Sequence, residues 1–251
     1  MPERDLKITV NGAMAPITVI ACGSSWVIVE KPCGISIHND PGNDLCAHVL
    51  GIVKSGRLPK ISRDIGALHA VHRIDRDTSG IVLLAGDSET LAFFSRQFSE
   101  KTVGKSYLAL VHGSMDIETT ADRQWLEWTW PLTAAAAGRN DPAGKGRRVP
   151  CTTRARLISH SRHYSLIECE PLTGRKHQIR RHAKLAGHPV VGDRRYGSPR
   201  SLAYLLQHHN FQRLALHAHS LALRLPGEDQ TTTFQSRGLP EQMAQLVEMD
   251  G

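Results

Sequence analysis

The sequence predicts an α+β fold with a mainly antiparallel or mixed β-sheet, and two observations lead to this fold class. Segments typical of strands and of helices follow one another without the regular alternation of parallel α/β folds. No glycine-rich phosphate loop follows the first apolar strand, which argues against a dinucleotide-binding fold. We therefore expect a single domain over residues 1–251, with its core at about residues 20–235, helices flanking the sheet and a central cleft.

Short apolar runs and helix signals place the individual elements along the chain. Leu91, Phe94 and Phe98 recur at spacings of three and four, which is typical of the buried face of a helix, and Asp87 or Ser88 can cap its start. The predicted strands are residues 26–30, 80–85, 105–111, 153–159 and 164–169. The other predicted helices are a short one within residues 41–51, one over residues 177–186 and one that begins at Pro240.

Composition and charge narrow the class of protein and of partner. The chain is 40% hydrophobic and 22% charged, which is ordinary for a globular protein, and no run of about 18 apolar residues predicts a membrane span. Its 31 basic and 24 acidic residues give a net charge of +7, which favours a polyanionic partner such as RNA or DNA, although a basic protein without such a partner would look the same. The five cysteines form no CxxC pair, so we expect reduced thiols and a cytoplasmic protein without a zinc site.

Titratable residues are concentrated directly before the second predicted strand. Two carboxylates, two arginines and a histidine fall within residues 72–77 (HRIDRD), which indicates a site at the edge of a sheet. The alternative is that residues 77–80 form only an Asx-type turn that enters the strand. That alternative explains the end of the segment and leaves His72, Arg73 and Asp75 unexplained.

A second concentration of positive charge opens the helix predicted over residues 177–186. Residues 172–182 (LTGRKHQIRRH) are rich in arginine, lysine and histidine, and the start of a basic helix favours anions because its backbone N–H groups are free. A solvated basic face is the alternative. Tyr107 opens a predicted strand, where a tyrosine taken alone indicates half-buried packing.

Residues 134–149 (AAAAGRNDPAGKGRRV), which we call the basic loop, differ in composition from the rest of the chain. Three glycines, one proline and four basic residues against one aspartate predict a mobile surface loop that clamps RNA phosphates. A plain solvated loop or a domain boundary would have the same composition. The four basic residues are Arg139, Lys145, Arg147 and Arg148.

In order and spacing, these segments resemble the RluA-type pseudouridine synthases. That family's first signature is similar to HRLDxxTSG and is matched by residues 72–80, with Ile74 in place of the usual leucine. Its later signature is similar to TGRxHQIRxH and is matched by residues 173–182. Shorter matching motifs lie at residues 31–34 (KPCG), 187–189 (GHP), 192–197 (GDRRYG) and 216–218 (LHA). The resemblance covers roughly residues 26–225.

The resemblance implies an RNA uridine isomerase that uses neither a metal nor a cofactor. Asp75 would be the essential catalytic group, Tyr107 would contact the base, and Arg180 would pair with Asp75. Arg73 would help to take the uridine out of the RNA helix. The remaining substrate-binding residues that the two signatures imply are His72, Thr78, Arg175, His177, Gln178 and Ile179.

The chemistry fits these assignments. Cleavage of a glycosidic bond develops positive charge on the sugar, which a carboxylate stabilises, and a paired arginine keeps that carboxylate ionised. Whether Asp75 attacks C1′, attacks the base or assists deprotonation at C2′ stays open. We expect a monomer acting on a stem-loop of ribosomal or transfer RNA, without an appended S4-type domain, because the strand before residues 31–34 starts too early to leave room for one.

Two other functions compete with this one. Residues 75–78 (DRDT) match the DxDxT motif of magnesium-dependent aspartyl phosphotransferases, but that motif should follow an apolar parallel strand, and His72 and Arg73 fit poorly in one. A non-enzymatic RNA-binding module would explain the charge and gives no reason for Asp75 among so many cations.

Overall fold

The computed structural model describes residues 7–8, 16–38, 40, 42–115 and 125–250. The strands are β1 (Lys7–Ile8), β2 (Ile17–Cys22), β3 (Trp26–Lys31), β4 (His69–Ala70), β5 (Ser79–Ala85), β6 (Gly104–His112), β7 (Leu126–Trp128), β8 (Leu132–Thr133), β9 (Arg148–Val149), β10 (Thr153–His160), β11 (Tyr164–Pro171), β12 (Leu216–Arg224) and β13 (Thr231–Gln235). The helices are α1 (Leu45–Lys54), α2 (Ser88–Ser99), α3 (Gln178–Leu185), α4 (Pro199–His209) and α5 (Glu241–Asp250). None of the helices in this described part of the chain is both long and apolar enough to span a bilayer.

The chain divides into two compact units. The first comprises Met1–Lys105 and Ala218–Arg237, and the second comprises Ser106–His217 and Gly238–Gly251. The single domain that the sequence predicts over residues 1–251 stays a prediction, and its residues 1–6, 9–15, 39, 41, 116–124 and 251 lie outside the described residues.

The first unit is built on paired strands, most of them antiparallel. β1, β2, β3 and β5 are neighbours in that order, β12 follows β5, and β4 and β13 add to β5 and β12. The side chains of β3 from Trp26 to Val29 are all buried, which explains why the sequence of this strand is a continuous apolar run. The pairing of β3 with β5 sets Lys31 opposite Gly80, the last residue of the first signature.

Two helices of the first unit begin where the sequence offers capping residues. Asp87 accepts a hydrogen bond from the N–H of Thr90 at 2.7 Å and starts α2, whose Phe94 is fully buried. Asp44 caps α1 in the same way. The helix predicted within residues 41–51 therefore exists but begins at Leu45.

In the second unit, β6, β11, β10 and β7 are antiparallel neighbours in that order. α3 lies on the core of this unit through Ile179 and Ala183, and α5 contributes Met243 and Leu246. β8 and β9 form a separate two-stranded ladder that closes the basic loop.

The predicted fold class is confirmed, and so are most of the elements. Sequence analysis missed α4, although Ser198 caps it and Pro199 occupies its first turn, a strong helix-start signal. It also missed β2, β12 and β13. β13 alternates exposed and half-buried residues and has little apolar character of its own.

Candidate active site and RNA-binding residues

Asp75 begins a tight turn in the first unit. The N–H of Thr78 donates to the carbonyl of Asp75 at 3.1 Å, and Ser79 and Gly80 already belong to β5. The turn therefore covers residues 75–78, which corrects the alternative of an Asx-type turn over residues 77–80. Asp75 is half-buried, and the Thr78 side chain is buried beneath the turn.

Lys31 is the residue that fixes the backbone of this turn. It is fully buried, and its ammonium donates to the carbonyls of Pro32, Ile35 and Arg76, each at 2.9 Å. A buried ammonium is tolerated only when its donors are satisfied, so these contacts lock residues 32–35 and residue 76 around one point. The sequence signal was a lysine that ends an apolar strand.

Further hydrogen bonds join the same two segments. The N–H of Gly34 donates to the carbonyl of Arg76 at 3.0 Å, and Arg76 Nε donates to the carbonyl of Gly34 at 2.8 Å. The Cys33 thiol donates to the carbonyl of Asp77 at 2.9 Å. The two residues after Asp75 are thus held from one side, which restricts the carboxylate.

Gly80 makes the close approach of the neighbouring strand possible. Its φ is +113°, and a side-chain carbon at this position would lie 2.2 Å from the carbonyl oxygen of Ala218 in β12. No other residue fits here without moving backbone. The glycine of the first signature is therefore required by packing.

His72 is a packing residue in its immediate surroundings. Its Nε2 accepts the N–H of Leu83 at 3.1 Å, and its ring stacks on Phe98 at a centroid distance of 5.0 Å. Burial, and after it the positive charge of Lys105, lowers the pKa of His72 to about 3. The ring is neutral near pH 7 and fastens the Asp75 turn to β5 and α2; its substrate-binding role stays a prediction.

Arg73 is exposed and lines a concave site of the first unit. The cavity has a volume of about 340 Å³, and the buried hydroxyl of Ser36 has no hydrogen-bond partner in the described part of the chain. A polar cavity of this size beside a long cationic side chain can accept a planar base. Its other lining residues are Ile37, His38, Asp40, Ile74 and Arg76.

Arg180 forms a buried ion pair in the second unit. Its Nε and Nη2 donate to the two carboxylate oxygens of Asp193 at 2.7 and 2.8 Å, a planar bidentate geometry. Both side chains are almost fully buried. Asp193 belongs to the GDRRYG motif, to which sequence analysis gave no role, and the pairing of Arg180 with Asp75 stays a prediction.

Asp193 is itself held in place by the backbone. One of its oxygens also accepts the N–H groups of Arg195 and Tyr196 at 2.9 and 3.0 Å. Burial alone would raise the pKa of Asp193, but the hydrogen bonds and charge of Arg180 outweigh it and bring the pKa below its ordinary value. The Tyr196 ring lies 5.3 Å from the Arg180 guanidinium. The orientation of Arg180 is thus determined within the second unit.

Three residues of the later signature serve the packing around Arg180. His177 caps α3 with a left-handed φ of 56° and shares a hydrogen bond of 3.0 Å with the Tyr196 hydroxyl. Gln178 is buried and uses its amide to bind Thr152, Thr153, Thr173 and Arg175. Ile179 is buried in the core. Their substrate-binding roles stay predictions.

Tyr107 and Arg175 lie in the same unit. Tyr107 is half-buried in β6, pairs with Cys169 of β11 and packs on the edge of the core. Arg175 is half-buried, and its buried Nε has no hydrogen-bond partner among the described residues, so the guanidinium can still bind a ligand.

A comparison with protein-family models matches residues 25–185 to the family described as RNA pseudouridylate synthase. The matched range is more than half of the chain and includes Asp75, Tyr107 and Arg180. The chain belongs to the RNA pseudouridylate synthase family. Membership favours the synthase over the two competing functions, and Asp75 also lies before β5, not after an apolar parallel strand as a phosphotransferase aspartate would.

Curated relatives carry more specific names. Ribosomal large subunit pseudouridine synthase C of Vibrio vulnificus is 34% identical over 229 residues, which are 88% of this chain and 65% of the relative. Ribosomal large subunit pseudouridine synthase D of Zymomonas mobilis is 31% identical over 241 residues, which are 93% of this chain and 73% of the relative. The chain thus spans less than two thirds of the synthase C relative.

A solved structure confirms the fold. Human RNA Pseudouridylate Synthase Domain Containing 4 matches 92% of this chain and 91% of its own with a TM-score of 0.67 at 22% sequence identity.

In the described part of the chain, no three histidine, cysteine or acidic side chains gather into a group that could hold a metal ion.

The basic loop of this family member is more constrained than its composition predicts. Arg148 Nε donates to the carbonyl of Gly144 at 2.8 Å and pairs with Asp141 at 3.5 Å, and Arg139 donates to the carbonyl of Arg194 at 3.3 Å. Lys145 and Arg147 are exposed. The loop also encloses a cavity of about 560 Å³, lined by residues 136–141, Gly144, Lys145 and Arg195.

The later family signature also contains an arginine that the helical wheel misplaced. On a helical wheel of residues 177–186, the sequence places His177, Arg180, Arg181 and Lys184 on the side opposite Ile179, Ala183 and Ala186, yet Arg180 is 5% exposed and Arg181 fully buried. A solvated basic face is therefore wrong for both arginines. His177 and Lys184 are the two that are partly exposed.

Proposed function

We propose that the protein is a pseudouridine synthase that isomerises uridine in RNA, with large-subunit ribosomal RNA as the first substrate to test and transfer RNA as the second. The observation that carries the proposal is a carboxylate in the family's first signature, on a turn that a buried lysine immobilises. The names of the synthase C and D relatives point to ribosomal RNA. We further propose that it acts as a monomer in the cytoplasm, where its five free cysteines would stay reduced.

Asp75 is the proposed catalytic carboxylate. A group that stabilises developing positive charge works best when it does not have to reorganise, and the bonds to residues 76 and 77 supply that rigidity. Arg180 would keep Asp75 ionised, because an opposite charge offsets the desolvation of a carboxylate. Asp193 supports this role because it fixes the Arg180 guanidinium before substrate arrives.

Tyr107 is the proposed contact of the uracil. A half-buried ring at the start of β6 presents a flat apolar surface together with a hydroxyl. The hydroxyl would accept or relay the proton that leaves C5. The Tyr107→Phe variant should then cleave the glycosidic bond better than it releases the C5 hydrogen.

Arg73 and the basic loop are the proposed RNA-binding elements. A stacked uridine must leave its helix before its glycosidic bond is accessible, and an exposed cation beside an open cavity can fill the gap and contact phosphate. Arg139, Lys145 and Arg147 would bind phosphates further along the RNA.

Mapping of pseudouridines in total RNA tests the proposal. RNA from cells that lack the protein should lose one or more pseudouridines, which the wild-type gene restores and the Asp75→Asn variant does not. The purified protein should form pseudouridine in that RNA in excess EDTA, whereas a magnesium-dependent phosphotransferase would lose its activity. An unchanged pseudouridine map, or full activity of Asp75→Asn, would rule out the assignment.

A further inference from the structure

The guanidinium of Arg181 lies at the centre of the basic loop. Its Nε donates to the carbonyl of Pro142 at 2.5 Å, and its Nη2 donates to the carbonyl of Ala143 at 2.7 Å and to the Thr133 hydroxyl at 2.9 Å. Its Nη1 donates to the carbonyl of Thr133 at 2.9 Å and to that of Ala135 at 3.3 Å. All three nitrogens are therefore used, and the start and the middle of the loop meet at one side chain.

None of these acceptors is a carboxylate. Burial lowers the pKa of Arg181, yet an arginine stays protonated, so the charge is neutralised mainly by carbonyl dipoles. A dipole offsets a buried charge only if it points at the charge, and any change in the loop backbone would misdirect it. The buried cation thus selects one shape of the loop.

Other contacts support the same shape. Arg195 Nε donates to the carbonyl of Ala137 at 2.7 Å. The Thr133 hydroxyl also donates to the carbonyl of Ala135 at 3.0 Å, and a side chain at Gly144 would lie 2.1 Å from that hydroxyl. Loop carbonyls therefore face inward, and the exposed cations Lys145 and Arg147 follow directly after the anchored segment.

We infer that Arg181 is a positioning residue that holds the basic loop in a preformed, RNA-binding shape without touching RNA itself. The inference rests on the proposed function and adds to it, because the later signature leaves position 181 unspecified. A preformed loop binds RNA more tightly because less conformational entropy is lost on binding. Arginine suits the task because its planar fork reaches both the start and the middle of the loop, which the three donors of a lysine do not span.

The test compares three single variants with a loop variant. Arg181→Met keeps the length of the side chain and removes the donors, Arg181→Lys keeps the charge, and Lys184→Met removes one charge from the same helix as a control. The loop variant replaces Arg139, Lys145 and Arg147 with alanine. Thr133→Val removes one acceptor and serves if Arg181→Met does not fold.

RNA affinity and turnover should change in a defined way. Arg181→Met should raise Kd and KM for RNA roughly tenfold and leave kcat at saturating RNA within about twofold, because the variant loses the preorganisation of the loop. The Kd and KM of Arg181→Lys and of Thr133→Val should lie between those of the wild type and those of Arg181→Met. Lys184→Met should have little effect. In the loop variant, the salt dependence of log Kd should flatten by about two, the value for three contacts to single-stranded RNA, and adding Arg181→Met should not weaken binding further.

Trypsin digestion of the protein without RNA measures the anchoring independently. The sites at Arg139, Lys145 and Arg147 should be cut faster in Arg181→Met than in the wild type, while global unfolding in denaturant still occurs in one transition. Failure of the proposed function would appear separately, as a wild-type protein that forms no pseudouridine. Unchanged trypsin cleavage, an additive loss of affinity with the loop variant, or a fall in kcat at unchanged KM would each overturn the inference.

Discussion

Lys31 in the first unit and Arg181 in the second are both fully buried cations that bind backbone carbonyls, and they differ in what they hold. The ammonium of Lys31 draws three carbonyls onto one point and fixes the turn that carries Asp75. The fork of Arg181 joins the residue before the basic loop, Thr133, to the middle of the loop at Pro142 and Ala143. A point charge suits a tight turn and a planar fork suits a wide loop.

The two buried cations serve different tasks, one in chemistry and one in RNA binding. The turn held by Lys31 is proposed to perform chemistry, which depends on the position of one carboxylate to within about an ångström. The loop held by Arg181 is proposed to bind RNA phosphates, which depends on the number and presentation of charges. Loss of Lys31 should therefore affect mainly kcat, and loss of Arg181 mainly KM.

The largest effect is expected for Lys31→Met. Three carbonyls lose the Lys31 ammonium, although that of Arg76 keeps the N–H of Gly34, so the free energy of unfolding should fall by about 3 kcal/mol. The displaced Asp75 should lower kcat about 100-fold. Single-turnover conversion at saturating RNA and urea unfolding measure the two effects. Lys31→Arg should not restore activity, since a planar fork does not fit the site, and the exposed Lys54→Met is the control. A variant with normal kcat would remove Lys31 from the active-site scaffold.

Asp193→Asn tests whether a buried arginine can be held by uncharged acceptors, as Arg181 is, or needs a carboxylate. Arg180 would lose its counter-charge in a buried site, which costs about 3 kcal/mol of stability. We expect kcat to fall about tenfold or more because the guanidinium reorients. Asp229→Asn, an exposed change, is the control. Wild-type stability and kcat in Asp193→Asn would mean that the ion pair is dispensable.

The sequence predicts the residues proposed to act on the substrate better than the buried residues that hold them in place. Signature residues such as Asp75 and Arg180 were predicted, since their types and spacing are visible in the sequence. The parts played by Lys31, Arg181 and Asp193 were not, because a charged residue on a helical wheel or at a strand end looks the same whether solvent or a distant carbonyl satisfies it. Arg181 finds its acceptors near residues 133–143, about 40 positions earlier in the chain.

Arg73 lies two residues before Asp75, yet it is proposed to act on RNA structure and not in the chemical step. Flipping a stacked uridine costs a few kcal/mol, and an unstructured RNA avoids most of that cost. Arg73→Ala should slow single-turnover conversion about tenfold on a folded stem-loop and about twofold on an unstructured oligonucleotide. Arg57→Ala, an exposed arginine of the same unit, should affect neither. Equal losses on both RNAs would place Arg73 in the chemical step or in folding.

Acid should weaken the Asp75 turn before it weakens the basic loop, because the turn also depends on His72, whereas Arg181 does not titrate below neutral pH. Burial lowers the pKa of His72 to about 3, while an unfolded histidine has a pKa of about 6.5. Between these values the unfolded state binds a proton that the folded state does not, so stability present above about pH 6.5 is lost as the pH falls towards 3.

The expected slope from this one group is at most about 1.4 kcal/mol per pH unit. His72→Gln provides a control that keeps an acceptor for the N–H of Leu83 and does not titrate in this range. Burial also lowers the pKa of His112 and His182 in the second unit, so the quantity to measure is the difference between wild type and His72→Gln in urea unfolding from pH 7 to pH 4. The wild type should lose the additional stability as the pH falls. Parallel curves would show that His72 has a nearly ordinary pKa and that the turn depends on Lys31 without its help.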